Sequence, residues 1–363
     1  MIYRQLGDSG LQVSAISLGT MGFGGVGGFD RVGAGGVDEA RAQIDLCLSA
    51  GVNLIDTADA YSGGVCEEII GEAIRGRRDE LLIATKVGMN FGPSLNDRGL
   101  SRHHIIRQCE GSLRRLGVDH IDLYQVHSWD GMTPLEETMA ALETLVRDGK
   151  VRYLGCSNFS AWQVMKALWT ADALGATPFV SQQIHYTLQA REAEYELLPL
   201  SVDQGLGVLS WSPLAGGLLT GKYRRGVVPA DGRHLSDWNE PPVYDTEQLY
   251  DIVDELVAIG EELDVPPVRV AIAWLLDRPA MSSLVVGART VEQLADSLAA
   301  VEVTLSDEQR GRLDAVSNPA LPYPYWHQRQ TVAPRFGGAD LALHGPGGVA
   351  WAQGEAMLDA RSG

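Results

Sequence analysis

Cysteine is scarce in this chain. Its 363 residues include four, Cys47, Cys66, Cys109 and Cys156. No two form a CxxC pair, which argues against a zinc ribbon, a redox dithiol or a disulfide framework. Each lies in an apolar or helix-like stretch, the setting of a buried, reduced thiol. Positive charge is also scarce: 29 Lys and Arg stand against 47 Asp and Glu, a formal net charge of −18. A surface that acidic repels nucleic acid and anionic lipid, so neither is expected as a partner. No apolar run approaches the ~20 residues that span a bilayer, and no basic segment leading into an apolar one opens the chain. A soluble, cytoplasmic protein acting on a small molecule is expected. Metal-ligand spacing is missing too. His103 and His104 are adjacent on a predicted helix and so point ~100° apart, and the remaining histidines show no ligand pattern; no metal is expected.

What the chain does have is ample apolar material, 45% of residues, arranged in short runs alternating with helical periodicity. Strands are predicted at 15–18, 52–55, 81–85, 121–126, 152–154, 179–184, 207–211 and 283–286. Val, Ile and Leu dominate these runs without strict alternation, as strands buried on both faces require. The segments between them carry helix signals. Asp38 can cap a helix with apolar positions at Ala40, Ile44, Cys47 and Leu48. Ser101 can open one that Gly117 closes. Thr133 to Glu136 reads as a capping box with Pro134 at the first helical position. Thr290 with Gln293 and Ser306 with Gln309 repeat the box. Strand then helix, about eight times over, implies a parallel sheet with right-handed crossovers. Polar residues stand at several different strand ends, which favours a closed (β/α)8 TIM barrel over an open doubly wound sheet with one switch point. The fold class is α/β, a single domain. Residues 223–244 read as a long loop after the seventh strand. The tail from Pro319 onward, rich in Pro and Gly, shows no helical period.

Four of those strand-end residues form a proton-donating set: Asp56 and Tyr61 in NLIDTADAY, Lys86 in LLIATKVG, and His127 in IDLYQVHSWD. A phenol is a poor acid near neutrality, its ordinary pKa being ~10. An ammonium ~4 Å away, at an effective dielectric near 20, is worth about 4 kcal/mol, enough to lower that value by roughly three units. Desolvation opposes this, so Lys86 needs a nearby anion, which Asp56 can supply. His127 can hydrogen-bond a substrate oxygen. Any one of these residues alone is more often structural. The cluster Gly22-Phe23-Gly24-Gly25-Val26-Gly27 formally contains GxGxxG, but no helix opens on it, and a Rossmann turn needs one at the pyrophosphate. It reads as a rim loop.

These residues and their contexts resemble the aldo-keto reductases. The likeness runs through NLIDTADAY, IATKVG, DLYQVH, GKVRYLGCSNFS, GVLSWSPLAGGLLTGKY and VVGARTVEQLADSLAAVEVTLSDEQ, in the family's order, over about residues 1–318. Residues 319–363 are left as a partly irregular C-terminal tail. The stretch from Val126 to Phe159 is most similar to aryl-alcohol dehydrogenase-like members. The resemblance implies a barrel that binds NADP(H), with Tyr61 as general acid and Asp56, Lys86 and His127 completing the catalytic tetrad. It places Gly19, Thr20, Met21 and Asp56 beneath the nicotinamide half of the cofactor, and Ser157, Asn158 and Gln183 at the carboxamide. Trp211 stands where an aromatic ring stacks on the nicotinamide. Ser212, Leu214, Gly216, Leu218 and Lys222 match the pyrophosphate side. Gly287, Ala288, Arg289, Gln293, Asp296 and Ser297 match the adenosine 2′-phosphate segment, although the family usually has Glu-Asn where this chain has Asp296-Ser297. A substrate pocket is expected from Phe23, Tyr61, His127 and Trp129. The implied activity is NADPH-dependent reduction of aldehydes or ketones, reversible as an alcohol dehydrogenase, on aromatic or bulky carbonyls or on keto-sugar-like ones. Potassium-channel β-subunits share the implied fold, which leaves open a cofactor-binding regulatory module. The sequence does not define an oligomeric state.

Overall fold

The computed structural model describes residues 1–227, 232, 234 and 240–345. Eight parallel strands close into a barrel in the order β10-β3-β4-β5-β6-β7-β8-β9. They are β3 (Ile16–Gly19), β4 (Leu54–Asp56), β5 (Leu82–Val87), β6 (Ile121–Val126), β7 (Val151–Ser157), β8 (Phe179–His185), β9 (Gly207–Trp211) and β10 (Met281–Val286). All eight predicted runs overlap barrel strands. The differences lie at the ends: β5 runs on to include Lys86, and β7 is seven residues long rather than three. Both extensions carry polar residues that turn toward the mouth, so an apolar-run criterion stops short of them.

Two further strands, β1 (Tyr3–Gln5) and β2 (Gln12–Ser14), form an antiparallel hairpin that the sequence reading did not anticipate. At three residues each, with four of the six side chains polar, they give almost no periodic signal. The hairpin supplies Leu6 and Val13 to a buried cluster with Leu54, Ala84, Leu123, Leu209 and Val285 from the barrel strands. Its turn approaches β9 closely. A Cβ on Gly7 would lie 2.4 Å from Gly205 O and 2.6 Å from Gly207 N, so only glycine fits. The hairpin therefore seals the N-terminal end of the barrel, and chemistry is left the opposite end.

Helices α1 (Val37–Ser49), α2 (Val65–Ala73), α3 (Arg102–Leu116), α4 (Leu135–Arg147), α5 (Ala161–Leu174), α6 (Ala193–Gln204), α7 (Thr246–Leu263), α8 (Pro267–Leu276), α9 (Val291–Leu298) and α10 (Asp307–Ser317) surround the strands. Ser101 caps α3 by accepting from His104 N at 3.3 Å, and Gly117 ends it at φ +66°. Ser306 and Gln309 form a reciprocal box at α10. Two predicted caps are corrected. Helix α1 is capped at Gly36, whose N–H donates to Glu39 Oε2 at 3.0 Å, and Asp38 falls inside the first turn. At α4 the Thr133 hydroxyl donates to Asp130 Oδ2 at 2.7 Å, leaving Pro134 at the cap position. The tail also differs from expectation: it holds α11 (Tyr325–Val332) and α12 (Asp340–His344). Tyr325 stacks on Tyr195 of α6 at 5.7 Å and fixes the tail there. In the loop expected at 223–244, residues 228–231, 233 and 235–239 lie outside the described residues, as does the tail beyond 345. No helix among the described residues is long and apolar enough to cross a membrane.

Candidate active site

Asp56 is the last residue of β4, Lys86 the fifth of β5, and His127 the first after β6; Tyr61 follows β4 on a short 3-10 turn. The barrel brings the four together. Lys86 Nζ donates to Asp56 Oδ2 at 2.5 Å and to Thr57 O at 3.0 Å, and lies 3.5 Å from the Tyr61 hydroxyl. Asp56 Oδ1 accepts from Gln183 Nε2 at 2.8 Å and Gln125 Nε2 at 3.1 Å. The carboxylate is therefore satisfied on both oxygens and held in one orientation. The Tyr61 ring meets the His127 ring edge to face, centroids 5.8 Å apart. Strand pairing sets this arrangement, because Gly19 opposes Asp56 and Lys86 opposes Gln125 across the sheet.

Burial works against the charge on Lys86, but the Asp56 carboxylate and the hydrogen bonds outweigh it and hold the ammonium above its ordinary range. The expected lowering of the Tyr61 phenol is overturned. Burial raises it above its ordinary value; Lys86 pulls it down only in part, and Asp56 pushes it up again. The physical reason is chiefly burial, which disfavours the charged phenolate; the Lys86 ammonium, bound to Asp56, offsets only part of it. Burial, with help from Lys86, pushes His127 down to about 3, so the imidazole is neutral. Its Nδ1 is buried and has no hydrogen-bond partner among the described residues.

The remaining predicted positions divide into two groups. Gly19 and Thr20 adjoin Asp56, with the Thr20 hydroxyl donating to Asp56 O at 3.0 Å, and half-buried Met21 follows. Gln183 lies opposite Ser157 in the β7–β8 register, and Ser157 Oγ is buried without a partner. Asn158, at φ +56°, donates from Nδ2 to His127 O at 3.0 Å and accepts from Trp211 Nε1 at 3.1 Å. This fixes the edge of the half-buried indole. After Trp211 the chain turns through Ser212, Leu214, Gly216 and Leu218 with positive φ at Ser212 and Gly216, and Ser212 Oγ accepts from Gly216 N at 3.0 Å. Lys222 lies 5.6 Å over the Tyr223 ring. Gly287 and Ala288 lead from β10 to exposed Arg289, whose N–H donates to Gln293 Oε1 at 3.1 Å, while Thr290 caps α9. Four side chains do not join the others. Phe23 and Leu218 are buried in the hydrophobic core. Asp296 pairs with Arg269 at 2.7 Å. The Ser297 hydroxyl turns back to Gln293 O at 3.0 Å. Trp129 packs edge-on against Phe159 and Trp162, at 5.2 and 5.5 Å.

Sequence reasoning missed several residues of the site. Gln125 and Thr57 contact the charged pair, but a glutamine inside an apolar strand and a backbone carbonyl give no pattern to search for. His185 lies against Trp211 at 4.4 Å, and burial lowers it to about 4. Asp59 and Glu67, both fully buried, lie beside the Tyr61 turn. Among the described residues no group of three or more His, Cys, Asp and Glu gathers to hold a metal.

The closed (β/α)8 barrel gathers a buried Asp–Lys pair, a phenol and a neutral imidazole at its strand ends, the rim where barrel enzymes carry their active sites. The family model described as the aldo/keto reductase family matches residues 15–318, and the chain belongs to that family. It is similar to an uncharacterized oxidoreductase, YrpG, of Bacillus subtilis, 42% identical over 85% of this chain and 93% of that protein. It is also similar to proteins named probable voltage-gated potassium channel subunit beta. The one from Arabidopsis thaliana is 38% identical over 84% of this chain and 92% of its own length. The one from Oryza sativa is 38% identical over 87% of this chain and 96% of its own length.

Proposed function

We propose that this chain is an NADPH-dependent reductase of aldehydes and ketones, reversible as an alcohol dehydrogenase. The observation that carries the reading is Lys86 Nζ standing between Asp56 Oδ2, at 2.5 Å, and the Tyr61 hydroxyl, at 3.5 Å. The phenol keeps its proton at neutral pH. A developing alkoxide is far more basic than a phenolate, so Tyr61 donates without needing a lowered pKa, and Lys86 stabilises the tyrosinate left behind. Asp56 keeps Lys86 charged and in place. Neutral His127 orients the substrate oxygen by one hydrogen bond. Positioned proton transfer of this kind contributes about 10²- to 10⁴-fold.

The residues fit a nicotinamide cofactor. Ser157 Oγ is an unpartnered polar atom beside Gln183 and Asn158. The Trp211 indole is held edge-on by Asn158 with its ring half-exposed. A Cβ on Gly19 would come within 2.9 Å of the Val285 side chain, so glycine keeps the backbone there low. In this reading Ser157, Asn158 and Gln183 hold the carboxamide, Trp211 the ring face, and Ser212, Leu214, Gly216 and Lys222 the pyrophosphate. Arg289 and the α9 N-terminus take the 2′-phosphate. When bound, a nicotinamide supplies the hydride equivalent. Trp129, backed by Phe159 and Trp162, favours aromatic or bulky carbonyls, with the flat face of a keto sugar as the next substrate class.

Turnover of NADPH with a carbonyl panel tests the reading. Tyr61→Phe should lower kcat at least about 100-fold while NADPH still quenches tryptophan emission; retained turnover would place the acid elsewhere. The relatives named as channel β-subunits support a second reading, a cofactor-binding regulatory module. A single slow oxidation of bound NADPH, with no multiple turnover on any carbonyl, would favour it.

A further inference from the structure

Asp59 lies two residues before Tyr61, and its backbone N–H donates to the carbonyl of Lys86 at 3.2 Å. Its side chain is fully buried, and neither carboxyl oxygen has a hydrogen-bond partner among the described residues. The Ala60 N–H lies close enough to favour the charged form slightly without completing a bond. The charges facing it are already committed. From α2, Glu67 gives Oε2 to Arg115 Nε of α3 at 2.7 Å and Oε1 to the Thr85 hydroxyl of β5 at 2.6 Å. Lys86 is bound to Asp56 at 2.5 Å. Two cations thus balance two carboxylates, and Asp59 is a third acid with no counter-ion of its own among the described residues. A buried carboxylate in that position is a large electrostatic cost, and such groups remain protonated instead.

We propose that Asp59 is held as a neutral carboxylic acid behind the Tyr61 turn and acts as a positioning residue for charge, keeping the Lys86 ammonium available to the phenol. Burial and the neighbouring Glu67 both push Asp59 well above the usual carboxylate range, against Arg115 and Lys86. When it ionises, a third anion joins those of Asp56 and Glu67, and at a separation of roughly 10 Å and an effective dielectric near 20 it costs the tyrosinate about tenfold in stability. Ionisation of Asp59 thus weakens the site as an acid on the alkaline side.

The proposal deepens the reductase reading, but its test does not need turnover. Infrared spectra of the full-length protein, with 13C-labelled aspartate, should show a protonated carboxyl stretch at neutral pH that Asp59→Asn removes. The ultraviolet titration of Tyr61, taken as the difference from Tyr61→Phe, should move about one unit lower in Asp59→Asn at alkaline pH. Absence of the protonated band overturns the neutral acid. A Tyr61 titration that Asp59→Asn leaves in place overturns its influence on the phenol. If the Asn variant does not fold, the pH dependence of the labelled band in the unaltered protein still decides the charge. A protein that turns over no carbonyl would defeat the reductase reading and leave both spectroscopic results standing.

Discussion

Tyr61 and His127 touch edge to face, yet burial has opposite consequences for them. It leaves the phenol protonated and the imidazole unprotonated, so both are neutral at pH 7 and neither needs a counter-ion. The imidazole carries a stability signature. Its folded pKa, about 3, lies below the unfolded value of about 6.5. The unfolded chain therefore binds a proton that the native state refuses as pH falls from ~6.5 toward ~3, and stability is lost across that window, by up to roughly 5 kcal/mol. His127→Gln should flatten the acid limb of a urea-midpoint profile; an unchanged limb would mean that His127 is not buried neutral. The same value means His127 should contribute no titration to kcat between about pH 5 and 8.

At the scale of elements, a buried ionic cluster ties three helices together. Asp314 of α10 accepts from Arg191, just before α6, at 3.1 Å and from the Trp274 indole of α8 at 3.0 Å, and Arg278 lies 3.5 Å away. Removing one member leaves an uncompensated buried charge, so Asp314→Ala should cost about 3–5 kcal/mol in chemical denaturation. A loss under 1 kcal/mol would show that water replaces the carboxylate. The cluster was not legible in the sequence, since Arg191, Trp274 and Asp314 are far apart in the chain and sit among ordinary helical residues. The barrel strands were legible because burial on both faces leaves continuous Val, Ile and Leu runs. Asp56, Lys86 and His127 were legible because each directly follows such a run, and Tyr61 because it stands five residues beyond Asp56 on the same strand-end turn. The hairpin and the tail helices were not: β1 and β2 are three residues long, and α11 is mostly polar with no buried residue to set a period. The Tyr61 pKa was misjudged for another reason. Sequence gives the members of an ion pair but not how deeply the phenol is buried, and burial is what raises it most.

For the molecule as a whole, the N-terminal hairpin decides which end of the barrel can work. Leu6 fills the floor among side chains from five barrel strands and is fully buried. Leu6→Ala should cost about 2–5 kcal/mol, read as a lower urea midpoint with unchanged slope. A changed slope would mean that the hairpin detaches while the barrel stays folded.

The four cysteines have a consequence at this scale as well. Cys47 sits in α1, Cys66 in α2, Cys109 in α3 and Cys156 in β7, and all four are buried and free. Burial pushes each thiol toward weaker acidity, which leaves little thiolate to react. The native protein should thus ignore a maleimide, and every label it takes up records an opening of the element that bears it. Three helices and one strand come already fitted with their own stopwatches. Sulfhydryl labelling with mass readout would show whether the early α1–α3 segments and the β7 wall loosen together or in turn.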